Sequence, residues 1–234
     1  MSPCRKARVI AIDGPAGSGK TTVGSELARR LGYLFFDTGV VYRALTLAVL
    51  RLGISLADVE AIARVASELN IRVEQPNQSD GRPYTVFLDG EDVTWQLRSQ
   101  EVDRAVSPVS AIQAARAALL GVQRQVVAKG KVVVVGRDVT TVVAPEADVK
   151  VFLDASPEER ARRRYAEAAA RGEAVTYEDV LSNVLERDRI DSGRETAPLR
   201  RAPDAIYIDS TRLSVHEVVE QLMRVICCDG QSLG

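Results

Sequence analysis

The stretch Gly14 to Thr21, "GPAGSGKT", fits G-x-x-x-x-G-K-[ST] and follows directly on the apolar run "RVIAI" at 8–12. With a strand before it and a helix after it, this pattern makes a phosphate loop. The segment Gly14, Pro15, Ala16, Gly17, Ser18, Gly19, Lys20, Thr21, Thr22 would wrap backbone N–H groups around phosphate oxygens, at dihedrals that glycine tolerates best. Lys20 supplies a charge for the β and γ phosphates, and Thr21 offers a hydroxyl to Mg²⁺. The helix dipole adds to the same field. The expected ligand is a nucleoside triphosphate, ATP rather than GTP, since the chain carries no NKxD-like guanine-reading segment.

Motors, switches and kinases all share such a loop, so the acceptor must be read elsewhere. Arg43, Arg137, Arg187 and Arg194 stand near acidic or small polar residues at element ends, not on evident helix faces. Phosphoryl transfer spreads negative charge over the moving group, and fixed cations stabilise it. Each arginine alone could be merely solvated; as a set they point to bound phosphates. In "ERARRRYAEAAARG", Arg160 and Arg164 lie one helical turn apart. By residues alone a solvated helix face or a nucleic-acid patch is the lesser reading of that run.

Short apolar runs alternating with helical patterns position these groups, which argues for an α/β fold of parallel βαβ units. Five runs stand out: 8–12, "YLFF" at 33–36, "KVVVV" at 131–135, "KVFL" at 150–153 and "AIYI" at 205–208. They are nearly continuous in hydrophobicity, as strands covered on both faces must be. Asp13-Gly14, Asp37-Thr38, Arg137-Asp138, Asp154 and Asp209 follow them, and ligands of open α/β sheets bind beyond the carboxyl ends of the strands. "SPEE" at 156–159 and "SVHE" at 214–217 are capping-box signatures for helix starts. Ile71 to Thr94 breaks the rhythm with two or three antiparallel strands joined by Gly/Pro/Asn turns, a small lobe between the second and third core strands.

The 234 residues carry 31 basic and 32 acidic side chains, so the electrostatic argument for a dedicated nucleic-acid binder is missing. No run of about 18 apolar residues occurs, so no membrane span is expected. Cys4, Cys227 and Cys228 are too sparse for a disulfide framework. A cytoplasmic monomer is the expected state.

Together, "IAIDGPAGSGKTTV", "FFDTGVVYRA", "VVGRDVTTVV", "RDRIDSGRETAPL" and "AIYIDSTRLS" resemble the bacterial-type cytidylate kinase family, within the nucleoside monophosphate kinases, from about residue 7 to 225. The resemblance implies a P-loop three-layer fold with a five-stranded parallel core sheet at 6–37, 117–155 and 173–229. It implies a monophosphate-binding lobe with a small antiparallel sheet at 38–116, and a short lid at 156–172. Thr38 and Arg43 would touch the acceptor, and Arg137 would hold its phosphate. Asp138 would face the cytosine amino group, with Ser107 and Arg116 at the other base-reading positions. Arg187 and Asp191 would hold the sugar, with Arg194 near the acceptor. Arg160 and Arg164 would serve ATP, one on adenine and one on the γ-phosphate. Lys20, Arg137, Arg164 and Arg187 would carry catalysis.

The implied activity is transfer of the γ-phosphoryl of ATP to CMP and dCMP with Mg²⁺. A kinase of another small acceptor such as UMP, or a nucleotide-binding switch without turnover, are the alternatives. This chain departs from the family at Val40-Val41, usually Ala-Met, at Ala144, usually larger, and at Thr140, usually Gly. A β-branched residue disfavours positive φ, so either position 140 needs none or the loop beside Asp138 differs.

Overall fold

The computed structural model describes residues 7–170, 172, 174–193 and 197–227. In chain order the elements are β1 (Val9–Asp13), α1 (Lys20–Leu31), β2 (Leu34–Asp37), α2 (Gly39–Arg51), α3 (Val59–Glu68), β3 (Ile71–Glu74), β4 (Thr85–Leu88) and β5 (Glu91–Asp92). There follow α4 (Gln100–Ala111), α5 (Gln113–Ala128), β6 (Val132–Gly136), β7 (Val149–Asp154), α6 (Pro157–Ala170), α7 (Tyr177–Gly193), β8 (Ile206–Asp209) and α8 (Val215–Cys227). The core strands form a five-stranded parallel sheet in the order β2-β6-β1-β7-β8. Each lies within one residue of the apolar run that announced it.

Two compact units divide the chain: Met1–Tyr33 with Val133–Gly234, and Leu34–Val132. In the first, β1 pairs with β7 from Ile10↔Val149 to Asp13↔Phe152, and β7 with β8 from Val151↔Ile206 to Asp154↔Asp209. This register brings the carboxyl ends of β1, β7 and β8 level. Ile10, Ile12, Leu27, Leu153 and Leu222 are fully buried around the sheet. At the start of α8, Ser214 and Glu217 exchange both hydrogen bonds of a capping box. Ser156 likewise accepts from the Glu159 N–H at 3.2 Å, but the Glu159 carboxylate turns to Arg162 and Arg163. The box at α6 is therefore half used.

The second unit extends beyond 38–116 at both ends, taking in β2 and the whole of α5. Its three-stranded antiparallel sheet, β3-β4-β5, occupies the segment expected to hold one. Arg82 seals that sheet: its guanidinium is buried and bridges Asp80 at 2.7 Å and Asp92 at 2.6 Å. Pro108 lies inside α4, where it has no N–H to give. The helix ends at Ala111, Ile112 caps both it and α5, and the two axes bend by 102°.

Candidate active site

Backbone approach explains the phosphate loop residue by residue. A Cβ on Gly14 would lie 2.0 Å from the Leu153 carbonyl oxygen of β7, so no side chain fits there. Gly17 has φ +80°, and a Cβ on it would come within 3.1 Å of Arg160 Cβ and 3.4 Å of Arg164 Cδ. Gly19 ends the loop in a left-handed conformation as the N-cap of α1. Lys20 is buried and donates to the Pro15 carbonyl at 2.7 Å, so its ammonium is held inside the loop. Ser18 Oγ is buried without a hydrogen-bond partner among the described residues. The Ser18 carbonyl accepts from the Ser210 hydroxyl at 3.2 Å, which ties the loop to the segment after β8.

Beside it, the turn after β6 carries Arg137 and Asp138. Arg137 Nε donates to Asp191 Oδ2 at 2.9 Å, and Asp191, in α7, is buried. Asp138 is 8% exposed and opens a π-helical turn, Val139–Val143. Asp13, the last residue of β1, holds this turn from below. Its Oδ1 accepts from the Val139 N–H at 2.8 Å; its Oδ2 accepts from the Thr140 N–H at 2.7 Å and the Thr140 hydroxyl at 2.6 Å. Burial pushes the Asp13 carboxyl up, while the donors of Thr140 and Val139 pull it down. Thr140 is not among the residues of positive φ. Position 140 in this chain thus has no need of glycine, and the loop differs in gaining a side-chain hydrogen bond.

The arginine run is not a uniformly solvated face. Arg160 is buried, its guanidinium paired with both oxygens of Asp188 at 2.8 and 2.6 Å. It also donates to the Ala155 carbonyl at 2.9 Å and to the Ala16 carbonyl of the phosphate loop at 3.2 Å. A guanidinium so committed grips the loop. Arg163 donates to the Ser210 carbonyl at 2.6 Å and to Glu159 at 2.8 Å. Arg162 is exposed and paired with Glu159, whose carboxyl these arginines lower to about 2. Arg164 is half-buried over Gly17, and Arg187 is exposed on α7. Asp188 and Asp191 are one turn apart on that helix and hold Arg160 and Arg137 respectively. Arg194 lies outside the described residues.

In the second unit, Thr38 is buried at the start of α2, where Asp37 Oδ1 accepts from the Gly39 N–H at 2.9 Å. Arg43, one turn on, donates to the Leu97 carbonyl at 2.9 Å and pairs with Asp103 at 2.5 Å. Arg116 of α5 lies over the Tyr42 ring at 5.3 Å and donates to the Ser110 carbonyl at 3.3 Å. Ser107 is exposed near the end of α4. Tyr84 stacks on Phe35 and is pushed up to about 12, first by burial, then by Asp37, against Arg98 and Arg43. Val40 and Val41 are buried, so the exchanged residues serve the apolar wall.

Sequence reasoning passed over Asp13 as a clasp, Asp188 as the partner of Arg160, and Ser210. The "RD" of "RDRID" at 187–188 and the Asp before Gly14 were visible signals. Only the fold could say which arginine each carboxylate meets. Among the described residues no cluster of three His, Cys, Asp or Glu suits a metal ion. The Thr21 side chain is exposed in the first turn of α1. A single hydroxyl beside a phosphate cradle fits Mg²⁺, which keeps water and phosphate ligands and needs no protein cage. Among the described residues no single helix is long and apolar enough to cross a membrane.

Similarity to known proteins agrees with this geometry. A family model described as Cytidylate kinase matches residues 10–227. A cytidylate kinase of Geobacter sp. strain M21 is 47% identical over 218 residues, covering 93% of this chain and 92% of that protein. One from Mycolicibacterium paratuberculosis is 48% identical over 219 residues, covering 93% and 94%. A crystal structure of an uncharacterized protein from Eubacterium ventriosum matches with TM-score 0.53 at 12% identity over 94% of this chain and 98% of that one, a likeness of fold alone. By the family match and these identities, the chain belongs to the cytidylate kinase family.

Proposed function

We propose that this protein transfers the γ-phosphoryl group of ATP to CMP and dCMP, giving CDP or dCDP and ADP. The observation that carries this reading is the pairing, in one unit, of a phosphate cradle with a turn that carries half-buried Arg137 and buried Asp138 and is held by Asp13 and Asp191. That combination offers a triphosphate site next to a cation for a second phosphate and a carboxylate for a base amino group.

Lys20 follows the charge of the β and γ phosphates, and Arg164 meets the γ-phosphoryl as it separates. Arg160 serves ATP by holding the Ala16 carbonyl of the loop. Thr21 would hold Mg²⁺ with the ATP phosphates, where the ion supplies neutralisation of their charge. Arg43 and Arg137 take the acceptor phosphate, Thr38 lies beside it, and Arg187, Asp191 and Arg194 serve the sugar side. The acceptor is already an anion at neutral pH, so no general base is required, and positioning with charge neutralisation carries the rate. Base choice falls to Asp138, with Ser107 and Arg116. The cytosine amino group suits the Asp138 carboxylate and its N3 suits the Arg116 guanidinium, whereas uracil reverses both patterns. The proposed working state is a cytoplasmic monomer acting on nucleotides alone.

Coupled ADP release across CMP, dCMP, UMP, AMP and GMP tests the reading. Two buried polar mismatches at about 1–3 kcal/mol each put UMP at least roughly 10²-fold below CMP in kcat/KM. Equal use of CMP and UMP would overturn the base assignment. ATP binding without ADP release for any acceptor would make the protein a switch.

A further inference from the structure

We infer that the Thr140 hydroxyl is a positioning group for acceptor recognition: through Asp13 it fixes the turn that presents Asp138. This rests on Asp138 as the base reader proposed above. Asp13 ends β1, one residue before the phosphate loop, and its carboxylate is fully buried. A buried carboxylate keeps its charge only while its oxygens are supplied with donors. Two donors come from the backbone, the Val139 and Thr140 N–H groups, and any residue at position 140 other than proline would provide them. The third, the Thr140 hydroxyl at 2.6 Å, depends on side-chain identity. It shares Oδ2 with the Thr140 N–H, leaving Oδ1 to Val139. That division fixes the rotation of the carboxylate and the first two peptides of the π-helical turn. Asp138 is the residue directly before those peptides.

Without the hydroxyl, Oδ2 keeps one donor in a buried setting where the Asp138 charge also disfavours ionisation. An Asp13 carboxyl that takes up a proton places an O–H where the Thr140 N–H needs an acceptor, and one end of the turn is released. The error is local to Asp138. The phosphate-loop contacts of Lys20 with Pro15 and of Arg160 with Ala16 do not pass through Thr140. Acceptor recognition should suffer and ATP recognition should not.

The test uses Thr140→Val, which keeps the branched shape, Thr140→Ala, and Thr140→Ser, which keeps the hydroxyl. Steady-state KM and kcat are measured for CMP at saturating ATP and for ATP at saturating CMP, with melting curves to compare folding. Loss of one hydrogen bond to a charged group predicts a rise of about tenfold in KM for CMP for Val and Ala. KM for ATP stays within about twofold, and Ser stays near the unaltered protein. A CMP KM within twofold of the parent in both hydroxyl-free variants would overturn the inference. So would an equal rise in both KM values, or a Ser variant as poor as Val. Failure of the underlying reading shows in a different place, the unaltered protein, as equal kcat/KM for CMP and UMP.

Discussion

Arg160 and Arg43 are both expected near a phosphate, and the two units treat them in opposite ways. At the base of α6 the Arg160 side chain is 3% exposed, doubly paired with Asp188 and hydrogen-bonded to two carbonyls, one in the phosphate loop. In the second unit the Arg43 side chain is 34% exposed and paired through one nitrogen with Asp103, itself 53% exposed. Desolvated charges with complete partners are costly to disturb, whereas exposed pairs contribute little. The first arrangement is part of the frame that shapes the ATP cradle. In the second, the charge is held near Asp103 by one contact near water.

The sharpest break of this contrast is Lys20→Ala, which removes the cation inside the cradle. The frame around it, Arg160 with Asp188 and Ser210 with the Ser18 carbonyl, does not involve its side chain. Losing transition-state charge stabilisation of this kind costs about 10²-fold or more in kcat, with melting temperature nearly unchanged. Single-turnover ADP release with calorimetry checks both halves. A variant that keeps most of its kcat would remove the loop from catalysis.

Asp188→Asn probes the frame itself. The amide keeps the shape but leaves a buried guanidinium without its counter-charge, an expected loss of about 2–3 kcal/mol. For a chain of this length that is roughly 5–10 °C in Tm. The expected fall in kcat is smaller than for Lys20→Ala, since Asp188 reaches the loop only through Arg160. A Tm within about 2 °C of the parent would place Arg160 with Arg43, as a charge merely kept nearby.

This contrast was invisible in the chain, although the fold was largely legible there. Runs such as 131–135 and 150–153 are continuous in hydrophobicity, so period and length alone set the strands, and the glycines of 14–19 named their own loop. Arg160 and Arg43 look alike in a sequence. Whether a guanidinium is buried depends on Asp188, 28 residues away, and on Asp103, 60 residues away. Thr140 shows the same limit. Its departure from glycine raised the question of positive φ, yet its answer lay in Asp13, 127 residues earlier. Local rules read what backbone and periodicity dictate; pairing of charges between helices distant in sequence is a property of the topology.

The smallest effect discriminates best within the second unit. Arg43 holds Asp103 through one short contact and also donates to the Leu97 carbonyl. On the proposal that Arg43 takes the acceptor phosphate, that phosphate, more highly charged than a carboxylate, would share or displace Asp103. If Asp103 is a competitor, Asp103→Asn should lower KM for CMP slightly. An exposed pair of about 0.2–1 kcal/mol corresponds to a factor of roughly 1.5–5, with stability changed by no more than the same amount. If Asp103 instead aims Arg43, KM should rise by a similar factor. Arg43→Ala calibrates the pair: it should raise KM for CMP well beyond either change at 103 while leaving Tm almost still, because the ion pair it breaks lies near water. The sign at Asp103 is therefore the informative quantity. A rise there would mean that the half-buried Arg43, too, is held in place by its carboxylate, and the distinction between the two units would be one of burial without a difference in role.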